Sequence, residues 1–321
     1  MSAGGQGDWG VVVVNWNTPV LTIACLESIL GAEDAPPRVV LVDNASTDGS
    51  VATIVQWARR RGLTVRMAGT GENVGDTDAW LTIFEATKPR GFSANNNVGI
   101  QYFRNRTRAS HVLLLNSDAT VAPDFFSKLR SAVAERPDGG LFTGTIYRDP
   151  EREVVWYAGG RINPLRALVT HNTSQPESGS LLETPFICGC AMLISRDALE
   201  HVGLLAECYD PAYCEDADYS LRAHAAGFAL VYAPRAKLYH RVGATAGPTD
   251  SNPWITYTAN RNRAFLIRRN YRGWRKAAGL GYLIITKPGR ALVEALRGRP
   301  RTGLAILKGM VAGVTSRAAL S

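Results

Sequence analysis

The sequence has no hydrophobic run long enough to cross a bilayer and no recognisable export signal. Its longest uncharged apolar stretch covers residues 277–286 and lies between Lys276 and Lys287. A membrane-spanning helix needs about 20 consecutive apolar residues. The N-terminal residues 1–7 are small and polar, and the apolar run at residues 11–14 is too short for the core of a signal peptide. We therefore expect a cytoplasmic protein without a transmembrane helix.

Cysteine is scarce and irregularly spaced. The chain has five cysteines, an odd number, and Cys188 and Cys190 are separated by a single residue. Zinc knuckles and redox motifs place two residues between their paired cysteines. The sequence therefore predicts reduced thiols, and we assign no metal to them.

Acidic residues are almost absent from the end of the chain. Residues 259–321 contain 14 Lys and Arg and a single acid, Glu294, for a charge of +13. Residues 1–258 contain 22 Lys and Arg and 27 Asp and Glu, for a charge of −5, so the chain as a whole carries +8. This contrast predicts a globular domain over residues 1–258 and a basic, amphipathic, helical segment over residues 259–321.

The basic C-terminal segment favours an anionic partner, such as a membrane surface, a pyrophosphate or nucleic acid. Nucleic acid is disfavoured, because the Lys and Arg residues alternate with Leu, Ile and Ala rather than with stacking aromatic residues. Two interpretations remain open. The helices lie on an anionic membrane surface, or their apolar groups pack on the globular domain or on a second copy of the chain in a homodimer.

Strand and helix patterns alternate along the first part of the chain. Continuous Val and Leu runs predict parallel strands that are buried on both faces. Thr18 followed by Pro19 is typical of a helix start. Strands that alternate with helices predict an α/β fold with a doubly wound, mostly parallel sheet. The predicted strands are 11–14, 38–42, 63–67 and 111–115, and the predicted helices are 19–30, 50–61 and 93–106.

After about residue 140 the pattern changes to shorter strands, which predicts a smaller mixed sheet. A polar loop is predicted over residues 167–179, and the chain ends in C-terminal helices. The other predicted elements are strands at 143–147, 154–158, 186–195 and 229–233, a strand that ends at His240, and helices that begin at residues 196 and 216.

Polar side chains follow two of the buried strands where each one ends. Asp43 and Asn44 follow the second predicted strand, and Asn116, Ser117 and Asp118 follow the fourth. Ligands of open parallel sheets bind beyond the carboxyl ends of the strands. A carboxylate such as Asp118 can hold Mg²⁺ or Mn²⁺ against a diphosphate, but it needs at least one further protein ligand.

Several polar positions also have an ordinary structural interpretation. Asp43 either hydrogen-bonds a base edge or ribose, or with Ser46 forms only an Asx turn. Asn95 and Asn97, near a predicted helix start, either contact a nucleotide or cap that helix. His240, at the end of a late strand, is either the second metal ligand or a structural histidine.

Two neighbouring acids, Glu215 and Asp216, stand at the start of a predicted helix. They could simply interact favourably with the helix dipole. Alternatively, one of them is a general base that deprotonates an acceptor hydroxyl, and its neighbour is structural.

These motifs occur in an order that resembles family 2 glycosyltransferases, most closely the bacterial rhamnosyltransferase-like branch. The resemblance covers about residues 10–270, and it depends on the ordered set rather than on any single motif. The matching segments are residues 11–17, 43–48, 91–99, 116–118, 189–192 and 215–218, together with His240.

The resemblance implies a GT-A fold and a metal-dependent hexosyltransferase that inverts the anomeric carbon. It implies transfer of one sugar, with rhamnose as the first guess, from a TDP- or UDP-linked donor. The implied acceptor is a hydroxyl of a glycan, of a lipid-linked glycan or of a small natural product. Cell-envelope polysaccharide synthesis and peripheral contact with the inner face of the membrane would suit a lipid-linked acceptor.

The same resemblance implies roles for individual residues. Asp216 is the catalytic base, and Asp118 and His240 bind Mg²⁺ or Mn²⁺. Asp43 contacts the pyrimidine or ribose of the donor, and Arg261 meets the diphosphate. The donor-binding set is completed by Asn17, Asn44, Asn95, Asn97, Asn116 and Ser117.

The sequence departs from the family pattern in two places. Asn116 stands at the first position of the Asp-x-Asp motif and removes one charge from the metal site. Residues 76–90 separate residues 72–75 (Glu-Asn-Val-Gly) from Gly91, whereas the family usually runs directly from one to the other. The apolar residues of this insertion predict either a cover over the donor or acceptor site, or a surface helix with no role.

Three alternatives compete with a glycosyltransferase. A sugar nucleotidyltransferase would need a glycine-rich phosphate loop with Lys or Arg after the first strand, and residues 15–19 have neither. A nucleic-acid-binding protein is disfavoured by the composition of the basic segment. An inactive scaffold is disfavoured because Asp118, Asp216 and His240 are all present.

Overall fold

The first part of the chain alternates strands and helices, as its hydrophobic pattern predicts. The computed structural model describes residues 8–36, 38–72, 74–76, 78–176, 178–243 and 252–317. The strands of this part are β1 (Trp9–Asn15), β2 (Arg38–Asp43), β3 (Val65–Gly69), β4 (Leu81–Glu85) and β5 (His111–Asn116). The helices are α1 (Pro19–Leu30), α2 (Ser50–Arg60) and α3 (Phe92–Arg106).

The remainder of the chain contains shorter strands, one long strand and a final group of helices. The strands are β6 (Ala119–Val121), β7 (Gly139–Arg148), β8 (Val155–Tyr157), β9 (Gly160–Asn163), β10 (Leu168–His171), β11 (Leu182–Glu183), β12 (Ala191–Ser195) and β13 (Ala229–His240). The helices are α4 (Phe125–Glu135), α5 (Arg196–Val202), α6 (Glu215–Ala225), α7 (Pro253–Asn270), α8 (Gly273–Leu296) and α9 (Pro300–Thr315). A short 3₁₀ turn covers Glu207–Tyr209.

Strands from both parts join one large sheet. Within the described residues its order is β11-β13-β7-β12-β5-β1-β2-β4-β3, with β6 attached to β13 and β8 attached to β7. The strands β5, β1, β2, β4 and β3 pair in parallel, and β12 pairs antiparallel with β5. The strands β9 and β10 form a separate antiparallel pair. The predicted α/β class, with a large mainly parallel sheet, a smaller sheet and C-terminal helices, is confirmed.

The first strand is buried on both faces, because helices cover both sides of the sheet. Successive side chains of a strand point to opposite faces. Val11 and Val13 accordingly belong to one core cluster, and Val12 belongs to the other. A Cβ at Gly99 would lie 2.5 Å from a methyl carbon of Val12, so glycine lets α3 pack closely on β1.

Two segments differ from the sequence prediction. Residues 76–90 contain β4, whose Leu81 and Ile83 are fully buried between β2 and β3. The segment is therefore part of the sheet, and it is neither a cover over the site nor a surface helix. The strand β10 lies inside the predicted polar loop, because pairing with β9 satisfies its backbone. Residue 77 of the first segment and residue 177 of the second lie outside the described residues, as does residue 73 of the preceding Glu-Asn-Val-Gly stretch.

The C-terminal segment is helical, as predicted, and its first helix packs in the main core cluster. The helix α7 begins at Pro253, so the predicted boundary after residue 258 falls inside a helix. Its residues 264–267 are buried in the same core cluster as Val11 of β1. The helix α9 packs closely on α7, since a Cβ at Gly309 would lie 2.3 Å from the carbonyl oxygen of Tyr257. None of the described helices has the length and apolar character that a membrane span needs.

Candidate active site

Asn15 and Asp43 end two neighbouring parallel strands and share one hydrogen-bond network. The register of β1 and β2 places them side by side. Asn15 Nδ2 donates to Asp43 Oδ1 at 2.7 Å, and the backbone N–H of Ser46 donates to Asp43 Oδ2 at 2.9 Å. Asp43 thus forms the Asx turn that the sequence offered as its structural interpretation. It does so at the edge where ligands of parallel sheets bind.

Asn17 and Asn44 support the loops that follow these two strands. The N–H of Thr47 donates to Asn17 Oδ1 at 2.8 Å. The N–H of Arg90 donates to Asn44 Oδ1 at 2.6 Å, and Asn44 Nδ2 donates back to the Arg90 carbonyl at 3.1 Å. Both asparagines therefore lie at the predicted edge, with side-chain atoms engaged in positioning its loops.

Asp210, from a distant loop, caps the helix that carries the asparagine-rich motif. The N–H groups of Ser93 and Ala94 donate to its two carboxylate oxygens at 2.9 and 3.3 Å. A Cβ at Gly91 would lie 2.0 Å from the carboxyl carbon of Asp210, so the loop approaches only because glycine stands there. The capping role that the sequence offered to the asparagines of this motif therefore belongs to Asp210.

Asn95 and Asn97 are placed very differently on α3. Asn97 Nδ2 donates to the Leu205 carbonyl at 3.0 Å and to Glu207 Oε1 at 3.0 Å, and the N–H of Leu205 donates to Asn97 Oδ1 at 3.0 Å. These bonds hold the α3 helix against residues 205–207, so Asn97 has a structural role. Asn95 Oδ1, in contrast, is buried and has no hydrogen-bond partner among the described residues.

Asp118 and His240, far apart in the chain, are neighbours in the fold. The short strand β6 pairs antiparallel with the end of β13, which sets His240 opposite Ala119. His240 Nε2 lies 3.1 Å from Asp118 Oδ1, and the exposed fractions of the two side chains are 8% and 7%. The ring of Trp156 packs edge-on against the imidazole, with 4.9 Å between the ring centroids. The structure therefore brings the two predicted metal ligands together.

The chemistry of this pair fits a divalent ion that completes its coordination elsewhere. Carboxylate oxygens bind both Mg²⁺ and Mn²⁺, and imidazole is a common ligand of transition metals. His240 Nδ1 is buried without a hydrogen-bond partner in the part of the chain that the structure describes. That part also holds no group of three or more His, Cys, Asp or Glu residues suited to a metal. An ion would thus need oxygens of a bound diphosphate or water in addition to Asp118 and His240.

Asp216 presents its carboxylate at the start of α6, directly after the enclosed Glu215. The N–H of Gly189 donates to Asp216 Oδ2 at 3.0 Å, and the N–H of Ala217 donates to Oδ1 at 2.8 Å. Burial raises the pKa of Asp216, and these hydrogen bonds oppose the rise. Burial, and then the charge of Asp216, raises the pKa of Glu215 well above its usual value. Asp216 is half-buried and Glu215 is buried, so Asp216 is the acid that a substrate can reach.

The candidate base lies at the same edge of the sheet as the C-terminal end of β5. Asn116 is half-buried and Ser117 is buried at this position. The N–H of Asn116 donates to the carbonyl of Cys190 at 2.9 Å. Cys190 follows Gly189, whose N–H holds Asp216. A short chain of contacts therefore joins the Asp-x-Asp position to the candidate base.

Arg261 and Asn262 of α7 bind the loop that precedes Asp216. Arg261 Nη2 donates to the carbonyl of Asp210 at 2.5 Å. Asn262 Nδ2 lies 2.5 Å from the carbonyl oxygen of residue 209, and 2.8 Å from those of residues 212 and 213. The structure therefore places the Arg261 guanidinium on loop carbonyls, whereas the sequence predicted that it meets the diphosphate. The reason is that the turn into α6 leaves several carbonyls without helical partners.

The conformation of this loop depends on α7. Tyr213 and Cys214 have φ values of +78° and +76°. Positive φ at residues other than glycine costs about 1–3 kcal/mol each and persists only where the surrounding structure holds it. Asn262 is fully buried and donates to the carbonyls on both sides of the turn. The position of Asp216 thus depends on a side chain of α7.

The prediction from sequence missed Asn15, Asp210 and Asn262. Asn15 ends the first Val run just as Asp43 ends the second, and this parallel was an available signal. Nothing in the residue type of Asn262 indicates that its partner lies 53 residues earlier in the chain. The same holds for Asp210, whose contact with Ser93 spans 117 residues.

Two protein-family models match the sequence. The model described as glycosyl transferase family 2 matches residues 10–203, which is more than half of the chain. The model described as glycosyl transferase family group 2 matches residues 111–311. The two matches together include every candidate site residue named above.

One similar curated protein is the N-acetylglucosaminyl-diphospho-decaprenol L-rhamnosyltransferase of Mycobacterium tuberculosis. It is 26% identical over 268 residues, which are 78% of this chain and 81% of that protein. Among solved structures, GalNAc-T7 with UDP, GalNAc and Mn²⁺ gives a TM-score of 0.63 at 13% identity, over 83% of this chain and about half (48%) of that one. The mannosyltransferase PcManGT of Pyrobaculum calidifontis, in complex with GDP-Man and Mn²⁺, gives 0.57 at 18% identity, over 98% of this chain and 89% of that one. The likeness to these structures confirms the predicted GT-A fold.

Proposed function

Because this chain belongs to glycosyl transferase family 2, we propose that it transfers one sugar from a nucleotide-diphosphate sugar to an acceptor hydroxyl, with inversion at the anomeric carbon. Its activity as a nucleotide-sugar glycosyltransferase follows from the family, and the sugar nucleotidyltransferase alternative is not favoured. One observation carries the finer proposal. Asp216 and the Asp118–His240 pair lie at the same edge of the sheet, where the N–H of Gly189 holds the Asp216 carboxylate.

Asp216 is the proposed general base. The proton of the acceptor hydroxyl moves to the Asp216 carboxylate while the hydroxyl oxygen forms its bond to the anomeric carbon. The bond between that carbon and the diphosphate oxygen breaks, and the nucleoside diphosphate leaves. A single displacement of this kind inverts the anomeric carbon. The raised pKa of Asp216 supports the role, because a more basic carboxylate is a better acceptor for the proton near neutral pH.

The donor nucleoside is proposed to lie beyond the carboxyl ends of β1 and β2. Each carboxylate oxygen of Asp43 accepts one hydrogen bond from the chain and has a second lone pair. Asp43 can therefore also accept from the pyrimidine or ribose of a TDP or UDP donor. Asn17 and Asn44 position the loops around it, and Asn95, whose Oδ1 has no hydrogen-bond partner among the described residues, is assigned to the same donor side. We also assign Asn116 and Ser117 to the donor side of the site, because Asn116 ends β5 at the same edge and Ser117 follows it.

Mg²⁺ or Mn²⁺ is the proposed cofactor, and Asp118 and His240 are the residues that would hold it. A divalent ion there would neutralise part of the charge that develops on the departing diphosphate. The distance of 3.1 Å between His240 Nε2 and Asp118 Oδ1 is short enough for both atoms to bind one metal ion. The similar structures of GalNAc-T7 and PcManGT are complexes with Mn²⁺, which supports the same class of metal here.

A lipid-linked glycan is the proposed acceptor, and rhamnose is the proposed sugar. Both follow from the similarity to the mycobacterial rhamnosyltransferase, whose name gives a sugar on a decaprenol diphosphate as its acceptor. A free glycan or a small natural product is the alternative class of acceptor. A lipid-linked acceptor would place the enzyme at the inner face of the membrane, as a peripheral protein.

Thermal stabilisation by a panel of nucleotide sugars tests the donor site. The panel contains TDP-rhamnose, UDP-linked hexoses and GDP-mannose, each with and without Mn²⁺. We expect stabilisation by a TDP or UDP donor that requires Mn²⁺ and that is lost in Asp118→Ala. A GDP donor that stabilises the protein better than all pyrimidine donors would contradict the assignment of a pyrimidine nucleobase to the donor. Stabilisation unaffected by EDTA would contradict the metal site.

A further inference from the structure

The solvent-facing side of α8 is apolar, which is the reverse of an ordinary surface helix. Six of its exposed apolar residues are spaced three, four or seven positions apart and therefore lie along one side of the helix. The residues that α8 buries are Gly279, Leu283, Ala291 and Glu294. We call the opposite, solvent-facing side the outer face of α8, and it consists of Trp274, Ala278, Ile285, Pro288, Leu292 and Leu296.

The residues of the outer face stay largely exposed in the folded chain. Trp274, Ile285 and Leu296 have exposed fractions of 68%, 78% and 79%. The helix has 24 residues, so this face is about 36 Å long. Single exposed apolar residues are normal, but a continuous apolar patch of this kind marks an interaction site.

The charges that border this patch are almost all positive. Residues 272–317 contain ten Lys and Arg and a single acid, Glu294. Glu294 is buried and lies within 4 Å of three arginines, so it offsets only part of that charge. Arg290 and Arg297 keep side-chain exposures of 64% and 57%. The neighbouring helix α9 adds the exposed Leu304 and Val311 with the exposed Arg301 and Lys308.

We propose that the outer face of α8, with its flanking arginines, docks on the surface of an anionic lipid bilayer and lies parallel to it. An apolar helix face next to basic side chains is the pattern of helices that bury their apolar side at the level of the lipid headgroups. Trp274 suits this boundary, because its indole has an apolar ring and a polar N–H. The inference deepens the proposed function by naming the surface on which a lipid-linked acceptor is met.

Charge favours a bilayer over a second copy of this chain as the occupant. A symmetric dimer through this face would bring two equally basic surfaces together, which costs electrostatic energy. An anionic bilayer instead gains from each Lys or Arg near its surface. No described helix is suited to spanning, which limits the contact to the surface of the bilayer.

The docking surface is structurally connected to the active site. Gly279 of α8 packs against Ile267 of α7, with 3.2 Å from a Cβ at Gly279 to the Ile267 side chain. The same α7 helix carries Arg261 and Asn262, which bind the loop before Asp216. A bilayer that holds α8 would therefore hold the active site at a fixed position relative to its surface.

Co-sedimentation with vesicles tests the proposal on the full chain. The vesicles contain phosphatidylglycerol with phosphatidylcholine, or phosphatidylcholine alone, each at low and at high salt. We expect binding to the anionic vesicles at low salt that weakens at high salt, and little binding to neutral vesicles. Ile285→Asp should lower the partition coefficient at least about ten-fold, because a charged group would replace an apolar side chain that the bilayer is proposed to bury. The triple change Arg275→Gln, Arg290→Gln and Arg297→Gln should lower it about 10²-fold, since each basic residue contributes about five-fold.

Leu182→Asp is the matched control, because Leu182 is 42% exposed on β11 and lies outside the C-terminal helices. It should bind anionic vesicles as the unmodified chain does. Absence of binding to anionic vesicles at low salt by the folded protein would overturn the proposal. So would self-association in sedimentation velocity that Ile285→Asp abolishes without vesicles, because the face would then be a dimer interface. Donor hydrolysis without vesicles, measured in parallel, reports on the proposed function independently.

Discussion

Replacing Asp216 by Asn gives the sharpest test of the catalytic assignment. The change removes the carboxylate that is proposed to take the acceptor proton and keeps the size of the side chain. A positioned general base contributes about 10²–10⁴-fold to rate, so we expect kcat to fall by about 10²-fold or more. That range corresponds to about 3–5 kcal/mol of activation free energy.

The structure indicates that this variant stays folded. Asp216 accepts hydrogen bonds from the N–H groups of Gly189 and Ala217, one on each oxygen. An amide oxygen can keep one of these bonds, and the amide N–H₂ loses the other. The expected cost is about 1–3 kcal/mol of unfolding free energy, which a domain of ordinary stability tolerates. Donor binding should change little, because these two contacts lie within the chain.

Glu215→Gln is the matched control. Burial and the charge of Asp216 raise the pKa of Glu215 well above its usual value, so the folded protein favours its neutral form. Gln resembles that neutral form, and kcat should stay near that of the unmodified enzyme. The stability of the two proteins should match at low pH, where Glu is neutral in both the folded and unfolded chains. As pH rises above the usual Glu range near 4, the unmodified protein should lose stability relative to Glu215→Gln.

Steady-state kinetics over a range of pH distinguish the two acids. In the unmodified enzyme, kcat/KM should fall as pH falls through the pKa of Asp216, because a protonated carboxyl cannot take the proton from the hydroxyl that receives the sugar. Burial raises that pKa, so the fall should occur above the range of an ordinary Asp. Asp216→Asn should lack this limb. If Asp216→Asn keeps near-normal kcat while Glu215→Gln loses activity, the reasoning is refuted and Glu215 becomes the base.

Three further predictions follow from the structure. Asp118→Ala and His240→Ala should each weaken binding of Mn²⁺ with a nucleoside diphosphate by about 10²-fold in calorimetry, and full activity in excess EDTA would contradict the metal site. Asn262→Leu should cost about 2–4 kcal/mol in urea unfolding and should also lower kcat, because it leaves buried carbonyls without donors; a loss of stability with normal kcat would contradict its role in positioning Asp216. Burial lowers the pKa of His111 to about 4, so the contribution of His111 to stability should fall by roughly 3 kcal/mol as pH drops from 6.5 to 4, and His111→Phe should remove that contribution.

Local hydrophobic pattern predicted the strands that are continuous Val and Leu runs, whereas β4 and β10 were missed. The Val and Leu runs of β1, β2 and β5 are visible in the sequence because both faces of each strand are packed against helices. The strand β4 was missed because the family comparison treated its segment as an insertion, although Leu81 and Ile83 are fully buried. The strand β10 is partly exposed, and its polar sequence carries no pattern that distinguishes it from a loop.

The candidate site could likewise be predicted only in part from the sequence. Residue type and position at strand ends predicted that Asp43, Asp118 and His240 would lie at one edge of the sheet, because topology alone brings strand ends together. The contacts that Asn97 and Arg261 make within the chain could not be predicted from residue type. Their partners include backbone carbonyls of residues 205–210, which approach only in the folded chain.

The charge pattern and the packing place the start of the C-terminal segment at different positions in the chain. The packing determines which helices are structurally coupled. The excess of Lys and Arg begins near residue 259, which suggested a separate C-terminal segment. Charge, however, reports on the surface, whereas Phe265 and Leu266 are buried in the main core and Asn262 is buried beneath the loop that leads to Asp216. The helix α7 therefore packs in the main core and also contacts α8. A change in α8 that disturbs this packing should thus reach the catalytic base, whereas a change confined to the outer face of α8 should leave turnover of a soluble acceptor intact.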